Sequence, residues 1–291
     1  MVDVLIFGGN GLLGQYLVGE AEQRSLEVLA TDREEPAGRL PRVDLRDAQL
    51  AARVVREIAP KVVFLPAAMT GVDACEARPQ DARQVNAGAP AAIAQACASV
   101  PSRLVYFSTD YVFDGEDGPY DEYATPAPVN EYGQTKLEGE RCVLAAVPKA
   151  LVVRTSANFG WNGLRGKQNS VTWILGKLRR GESVPLFTDQ QVSPSYVPDV
   201  ARVAFDLVDR GASGIFHVAT RGCLTRLDMG QAVCDVFGLP KELLVPSRLA
   251  GANLPAKRPR VACLSTAKVE RFLHIERPTF REALEHMRDS E

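Results

Sequence analysis

Short apolar runs of strand length alternate with longer helix-like stretches along the first half of the chain. The runs that predict strands are residues 2–7, 26–31, 61–65 and 103–107. The stretches that predict helices are residues 15–21, 48–58, 82–98 and 132–142. Strands joined by helices of this length pair in parallel, and the helices cover both faces of the sheet. The pattern therefore predicts an α/β protein with a Rossmann-type, doubly wound parallel sheet.

Composition and charge exclude several classes of protein. The chain has 291 residues, of which 46% are hydrophobic, and a formal net charge of -2. Nucleic-acid-binding proteins normally carry a basic stripe, which this balance does not indicate. No apolar run approaches the roughly 20 residues that a membrane-spanning helix needs. Since the chain also runs directly into a strand pattern, we expect no signal peptide and a cytoplasmic protein with no nucleic-acid or membrane partner.

The cysteines and histidines are isolated from one another. The six cysteines stand at positions 75, 97, 142, 223, 234 and 263, and no two have Cys-x-x-Cys spacing. We therefore expect reduced, mostly buried thiols, with no disulfide and no zinc site. The three histidines, His217, His274 and His286, are equally scattered. No metal site is expected, and the sequence gives no support for a magnesium ion.

A glycine-rich turn follows the first predicted strand and precedes the first predicted helix. Its spacing is Gly8-x-x-Gly11-x-x-Gly14. Glycines in this position let the backbone approach a pyrophosphate, and the free N–H groups of a helix start face its negative charge. The cofactor contacts expected here are Gly8, Gly11, Leu12, Leu13 and Gly14.

The end of the second strand bears on which dinucleotide is bound. Asp32 stands where a carboxylate can bond the ribose hydroxyls of NADH, whereas the adjacent Arg33 can meet the 2′-phosphate of NADPH. Both residues are present, so the sequence leaves NADPH or NADH open. Further cofactor contacts are expected at Asp44, Leu45, Ala67, Ala68 and Met69.

The strict alternation weakens after Gly160. Residues 197–208 predict a helix that returns to the sheet, and residues 214–219 predict a late strand. We expect a dinucleotide-binding domain and a smaller C-terminal substrate-binding lobe with a cleft between them. The domain would comprise residues 1–160 and 196–220, and the lobe residues 161–195 and 221–291.

Three residues suggest acid–base chemistry at this cleft. Tyr132 and Lys136 are four residues apart on a predicted helix, so they share one face. A phenol has an unperturbed pKa of about 10, and a neighbouring cation favours its charged form. Thr109 follows the fourth strand, at the sheet edge where such folds hold ligands. Together the three groups could surround a carbonyl oxygen.

At this point the residues resemble the extended short-chain dehydrogenase/reductases, and most of all the dTDP-4-dehydrorhamnose reductase family. Ser-Thr-Asp-Tyr-Val-Phe-Asp-Gly at 108–115 and Tyr-Gly-Gln-Thr-Lys-Leu-Glu-Gly-Glu at 132–140 are characteristic of that family. Other matching segments, in the same order, are residues 67–73, 85–87, 153–156, 189–195 and 255–259. The resemblance thus covers nearly the whole chain.

The resemblance implies a mechanism and a substrate. A hydride from NADPH or NADH would reduce the 4-keto group of a nucleotide-linked 4-keto-6-deoxyhexose, in dTDP-rhamnose biosynthesis. Tyr132 would protonate the alkoxide, Lys136 would favour the phenolate and hold the nicotinamide ribose, and Thr109 would bond the substrate oxygen. Asp110, Asn169 and Arg258 are further candidates for substrate contact, although Asn169 and Arg258 could equally cap a turn or pair with a carboxylate. We also expect a homodimer.

One local difference separates reduction from dehydration. The related 4,6-dehydratases carry an Asp-Glu pair after the catalytic threonine, because elimination of water needs both an acid and a base. Here Asp110 is followed by Tyr111. The sequence therefore favours simple ketone reduction.

One position departs from the family pattern. Where the family has a tryptophan expected to pack against the sugar, this chain has Ala157. Trp161 or Trp173 could fill the gap, although each fits a core position better. The departure leaves the sugar undefined. It also leaves an alternative open, a non-catalytic NADP-binding regulatory subunit that resembles the methionine adenosyltransferase β-subunit.

Overall fold

The computed structural model describes residues 2–34, 41–161 and 168–291. The strands in these ranges are β1 (Val4–Phe7), β2 (Val28–Thr31), β3 (Val62–Leu65), β4 (Arg103–Thr109), β5 (Leu151–Thr155), β6 (Val184–Phe187), β7 (Gln191–Val192), β8 (Gly214–His217), β9 (Leu224–Thr225) and β10 (Leu244–Ser247). The α-helices are α1 (Leu12–Gln23), α2 (Ala48–Ile58), α3 (Val72–Ala77), α4 (Pro79–Arg83), α5 (Ala89–Ser99), α6 (Glu131–Ala146), α7 (Ser170–Arg179), α8 (Val197–Asp209), α9 (Arg226–Phe237), α10 (Ala267–Leu273) and α11 (Phe280–Asp289).

A central parallel sheet organises the fold. Within the described residues it has six strands in the order β2-β1-β3-β4-β5-β8. Val4 of β1 pairs with Val28 on one side and with Val62 on the other. An isolated bridge between Asp32 and Arg42 continues the sheet beyond β2. The strand order reverses between β1 and β3, which opens a crevice at the carboxyl ends of the strands. The predicted fold class is confirmed.

Helices cover both faces of this sheet. Leu5 and Ile6 of β1 are adjacent, so their side chains point to opposite faces. Ile6 belongs to an apolar cluster with Leu17 of α1 and Ala204 of α8. Leu5 belongs to a second cluster with Val55 of α2. Burial of both faces explains why the strands read as continuous apolar runs instead of an alternating pattern.

The predicted helix at 82–98 is divided into α4, a π-helical turn at Gln84–Gly88 and α5. Pro90 has no N–H, so the backbone carbonyl of Asn86 cannot accept the regular bond from the residue four positions later. The Tyr106 hydroxyl donates to that carbonyl instead, at 2.9 Å. The Tyr106 side chain of β4 thus supplies the hydrogen bond that Pro90 cannot donate to this carbonyl.

The C-terminal elements form a third apolar cluster beside the sheet. It joins α7, β6, α9 and α11 through side chains such as Ile174, Leu186, Val233 and Leu284. Strand β10 pairs with β6, and β7 pairs with β9. Helix α10 differs, because its Val269 belongs to the cluster that contains Ile6 and Leu17 on one face of the central sheet. The division into a dinucleotide-binding domain and a substrate-binding lobe stays a prediction.

The cysteines correct one expectation from the sequence. Cys223 and Cys263 form a disulfide, with their Cα atoms 5.5 Å apart and a sequence separation of 40. The expectation of no disulfide was therefore wrong, because two cysteines far apart in the chain carry no pairing signal until the fold brings them together. Cys75, Cys97 and Cys234 are buried free thiols, as expected, and Cys142 is half-buried.

Among the described residues, the helices are all too short or too polar to span a bilayer.

Candidate active site

A cleft of about 620 Å³ lies at the carboxyl edge of the sheet. It includes the crevice between β1 and β3 and extends past the end of β4 towards α7 and α9. Almost all residues singled out from the sequence line it. They are Gly8, Gly11, Leu12, Leu13, Gly14, Asp32, Arg33, Asp44, Leu45, Ala67, Ala68, Met69, Thr109, Asp110, Tyr132, Lys136 and Asn169. Arg258 does not line it.

The glycine turn forms one end of the cleft. Gly8 has a φ of +94°, and a Cβ there would lie 2.9 Å from the Cβ of Ala67, so a side chain is excluded for both conformational and steric reasons. A Cβ on Gly14 would overlap the carbonyl oxygen of Gly8. Gly11 is the N-cap of α1 and offers no side chain to bond the first N–H groups of the helix. This cradle fits the pyrophosphate of a dinucleotide.

Charged groups surround the place where the adenosine ribose of a dinucleotide would lie. Asp32 is buried, and its carboxylate accepts a hydrogen bond from the backbone N–H of Asn10 at 3.1 Å. Arg33 forms an exposed ion pair with Glu34 at 2.6 Å. Arg46, which the sequence analysis missed, also lines the cleft. The site therefore presents both a carboxylate and guanidinium groups.

Arg46 is held by Asp44, which it contacts through Nε at 3.0 Å. The hydrogen bond from Arg46 is the main reason that the pKa of Asp44 lies below its usual value. No sequence motif marks this arginine, because it lies in the turn before α2. Only its position at the cleft identifies it.

The loop after β3 is fixed from outside the cleft. The Asn86 side chain accepts from the backbone N–H of Met69 at 2.8 Å and donates to the carbonyl of Met69 at 3.1 Å. It also donates to Thr135 Oγ1 of α6 at 3.2 Å. One buried amide thus positions the floor of the cleft relative to the helix that carries Tyr132 and Lys136.

Helix α6 places Tyr132 and Lys136 in the cleft beside the end of β4. The side chain of Asn130 accepts from the backbone N–H of Gly133 at 2.9 Å and so starts the helix. Lys136 is buried, and its Nζ donates to the carbonyl of Phe107 at 2.7 Å. The ammonium also lies 4.0 Å from the centre of the Tyr106 ring. These contacts hold Lys136 against β4.

Burial dominates the electrostatics of this pair. Removal from water lowers the pKa of Lys136 from 10.5 to about 7, partly opposed by the charge of Glu140. Burial also raises the pKa of Tyr132 above its usual value, while the nearby Thr109 hydroxyl acts in the opposite direction. The expectation that Lys136 brings the phenol pKa down is therefore wrong for this structure. Desolvation is the largest influence on the pKa of this phenol, so Tyr132 is protonated at neutral pH.

Asp110 connects Thr109 to the neighbouring strand. The Thr109 hydroxyl donates to Asp110 Oδ1 at 3.0 Å, and the Ser156 hydroxyl donates to Oδ2 at 2.6 Å. Burial raises the pKa of Asp110 to about 6, although both hydrogen bonds favour its charged form. The backbone N–H of Tyr111 donates to Thr109 Oγ1 at 3.2 Å. Thr109 is thus held in one orientation next to Tyr132.

The cleft also contains Ala157, which the sequence singled out and which has a φ of +41°. Sequence reasoning missed three further residues that line the cleft, Asn158, Ser170 and Arg226. Arg226 is the first residue of α9 and brings a cation into the cleft. A basic residue after a capping threonine is the only signal in the sequence, and it is shared by many solvent-facing helices.

Neither tryptophan takes the place left by Ala157. Trp161 donates to the carbonyl of Met287 at 2.8 Å and packs against Phe237. Trp173 belongs to the same C-terminal apolar cluster. Both are packing residues, the role that their sequence context favoured.

The two uncertain substrate candidates have structural roles in the described chain. Arg258 forms an ion pair with Asp73 at 2.8 Å and donates to the carbonyl of Ala256 at 2.7 Å. The carboxylate of Asp73 holds its guanidinium, and the substrate contact expected from the resemblance stays a prediction. Asn169 caps α7 by accepting from Val171 and Thr172 at 3.1 Å each, yet it also lines the cleft.

Within the part of the chain that the structure describes, no cluster of three or more His, Cys, Asp or Glu side chains is arranged to hold a metal ion.

A parallel doubly wound sheet, a glycine turn and a Tyr/Lys pair beside a strand-end threonine define the class of short-chain dehydrogenase/reductases. Comparison with known proteins narrows this class. The family described as RmlD substrate binding domain matches residues 2–291. The chain therefore belongs to this RmlD-like reductase family.

Relatives within the family differ in what they do. The probable low-salt glycan biosynthesis reductase Agl14 of Haloferax volcanii is 38% identical over 287 residues, covering 96% of this chain and 95% of that protein. Methionine adenosyltransferase 2 subunit beta of Danio rerio is 33% identical over 288 residues, covering 97% of this chain and 88% of that protein. A dTDP-4-dehydrorhamnose reductase from Bacillus anthracis, in complex with NADP, has a TM-score of 0.91 and 28% identity and covers 100% of both chains.

Proposed function

We propose that this protein reduces the 4-keto group of a nucleotide-linked 4-keto-6-deoxyhexose of the dTDP-4-dehydrorhamnose type, with NADPH or NADH as the cofactor. The observation that carries the proposal is the convergence of Thr109, Tyr132 and Lys136 in a cleft whose other end is a glycine cradle. The NADP complex of the Bacillus anthracis reductase supports the choice of cofactor.

The reaction adds a hydride to C4 and a proton to O4, so the ketone becomes a secondary alcohol. The bound nicotinamide supplies the hydride. Tyr132, which burial keeps protonated, donates its phenolic proton to the oxygen as negative charge develops there. General acid catalysis of this kind contributes about 10²- to 10⁴-fold.

Lys136 and Thr109 support this proton transfer. Lys136 stands one helical turn from Tyr132, and in its protonated form it would stabilise the phenolate that remains after the proton has left. Thr109 is positioned by Asp110, to which its hydroxyl donates. The hydroxyl can turn from Asp110 to the substrate oxygen and so help to hold the carbonyl for hydride attack.

The competing function is a non-catalytic subunit that binds NADP. The resemblance to methionine adenosyltransferase 2 subunit beta favours it, as does the loss of an apolar wall at Ala157. The test is to incubate the purified chain with NADPH and dTDP-4-dehydrorhamnose and to follow the absorbance of NADPH. Consumption that depends on the keto-sugar supports the reductase. Cofactor binding without consumption on a panel of keto-sugar nucleotides would favour the subunit.

We further propose that the chain works as a homodimer in the cytoplasm, with the cleft between a dinucleotide-binding domain and a substrate-binding lobe. Light scattering of the purified protein tests the dimer.

A further inference from the structure

Arg226 brings a positive charge from the C-terminal part of the chain into the cleft. It follows Thr225, the N-cap of α9, whose hydroxyl accepts from the backbone N–H of Asp228 at 3.0 Å. Asp228 in turn accepts from the backbone N–H of Thr225 at 2.9 Å. This reciprocal cap fixes the start of the helix. The base of the Arg226 side chain is therefore held in a defined position.

A neutral amide, not a carboxylate, holds the guanidinium. Arg226 Nε donates to Gln190 Oε1 at 3.1 Å, and Gln190 Nε2 donates to the carbonyl of Pro259 at 3.3 Å. Gln190 is buried. The amide therefore orients Arg226 without forming an ion pair with it.

Three other arginines at buried or half-buried positions are paired with carboxylates. Arg154 pairs with Glu140, Arg258 with Asp73, and Arg277 with Asp199. Within the described ranges, Arg226 forms no such ion pair. A cation that is oriented but not neutralised, in a cleft, is a candidate for binding a ligand.

Arg226 lies towards the reacting end of the cleft. Its charge lowers the pKa of Asp110 and that of Tyr111, although burial of both groups acts more strongly in the opposite direction. Both residues directly follow Thr109 in the chain. The guanidinium is therefore near the residues proposed to surround the sugar.

A carboxylate and a guanidinium on a shared cleft offer complementary groups to a polyhydroxylated ring. Asp110 can only accept hydrogen bonds when ionised, and Arg226 can only donate them. A hexose hydroxyl can do both. Ala157, which also lines the cleft, leaves room for the ring to approach this pair.

We propose that Arg226 is a specificity-determining residue that donates a hydrogen bond to a ring hydroxyl of the keto-sugar, with Asp110 accepting from the sugar nearby. This inference rests on the proposed function and deepens it, because it assigns recognition of the sugar ring to a residue of α9. The diphosphate of the substrate is the other group that Arg226 could contact, and the test separates the two.

The experiment measures the affinity of the full chain, with NADP present, for dTDP and for dTDP-rhamnose by calorimetry. In Arg226→Ala, dTDP-rhamnose should bind at least about tenfold more weakly, since a hydrogen bond to a charged group is lost, while dTDP binds unchanged. Arg226→Lys should recover part of the loss. Arg281→Ala, an exposed arginine of α11 paired with Glu285, is the matched control and should leave both affinities unchanged.

Two results would overturn the proposal. An equal loss of affinity for dTDP and dTDP-rhamnose would place Arg226 on the diphosphate, and no loss for either would remove it from the site. Failure of the proposed function is distinguishable from both. If the chain never consumes NADPH, but Arg226→Ala weakens binding of dTDP-rhamnose and not of dTDP, the contact with the sugar is supported. Only the proposal of reductase activity is then contradicted.

Discussion

Arg154 of β5 and Glu140 of α6 form a buried ion pair with two parallel hydrogen bonds, at 2.9 Å from Nε to Oε1 and at 2.7 Å from Nη2 to Oε2. Each side chain is 1% exposed. Glu140 is one helical turn beyond Lys136. The pair therefore holds the face of α6 that carries Lys136 against the sheet.

Removing the charge of Glu140 should destabilise the protein strongly. In Glu140→Gln the guanidinium of Arg154 stays buried without its counter-charge, and loss of one partner of a buried pair costs about 3–5 kcal/mol. Urea-induced unfolding measures the change. Glu138→Gln, on the same helix but in an exposed pair with Arg83, is the control and should lose less than about 1 kcal/mol. Similar losses in the two variants would contradict the prediction.

Lys136 should make stability depend on pH. Its folded pKa of about 7 lies below the ordinary value of 10.5, so between these values the unfolded chain binds a proton that the folded protein has released. The unfolding free energy of the wild type, compared with that of Lys136→Met, should therefore rise as the pH increases from about 7. Below that pH Lys136 is charged in both the folded and the unfolded chain, so the full cost of burying the ammonium remains. Unfolding free energies at several pH values test this. If the plots of unfolding free energy against pH run parallel for the wild type and Lys136→Met, the predicted pH dependence is wrong.

Tyr132→Phe tests the proton donor. The variant keeps the ring, which lies 5.7 Å from the Tyr111 ring, and loses only the hydroxyl. Turnover should fall by about 10²-fold or more, while NADPH affinity stays within a few fold. Steady-state kinetics and fluorescence titration of NADPH measure the two quantities. An unchanged turnover rate would remove Tyr132 from the mechanism.

Arg33 and Arg46 should select NADPH over NADH. Both line the cleft near Asp32, where a 2′-phosphate would lie. Replacing both by alanine should weaken NADPH binding about tenfold or more and leave NADH nearly unchanged, because only NADPH carries the phosphate. Arg53→Ala, an exposed residue of α2, is the control. Equal effects on the two cofactors would show that these arginines do not contact the phosphate.

The disulfide should contribute to stability. Closing a loop with a sequence separation of 40 restricts the unfolded chain, which corresponds to about 3–4 kcal/mol. Urea unfolding with and without dithiothreitol should show this difference, and Cys223→Ser should reproduce it. Cys142→Ser, which removes a half-buried free thiol, should leave the effect of dithiothreitol intact. Insensitivity of the wild type to dithiothreitol would contradict the prediction.

The sheet, the glycine turn and many of the residues that line the cleft could be predicted from the order of the amino acids. Strand length, apolar runs and the position of Gly8, Gly11 and Gly14 are local properties of the chain, and parallel strands necessarily end at one edge. Residues that follow strands, such as Thr109, therefore meet without any knowledge of packing. The family motifs carried the same information.

The partners of individual side chains, and the electrostatics of the cleft, could not be predicted in this way. Arg258 meets Asp73 and Cys223 meets Cys263 across long stretches of chain, and no local pattern encodes such pairs. The pKa of Tyr132 moves upward because side chains from several elements exclude water around it. Desolvation and long-range contacts depend on where the whole chain lies in space, which is why spacing alone predicted the location of the phenol but not its protonation.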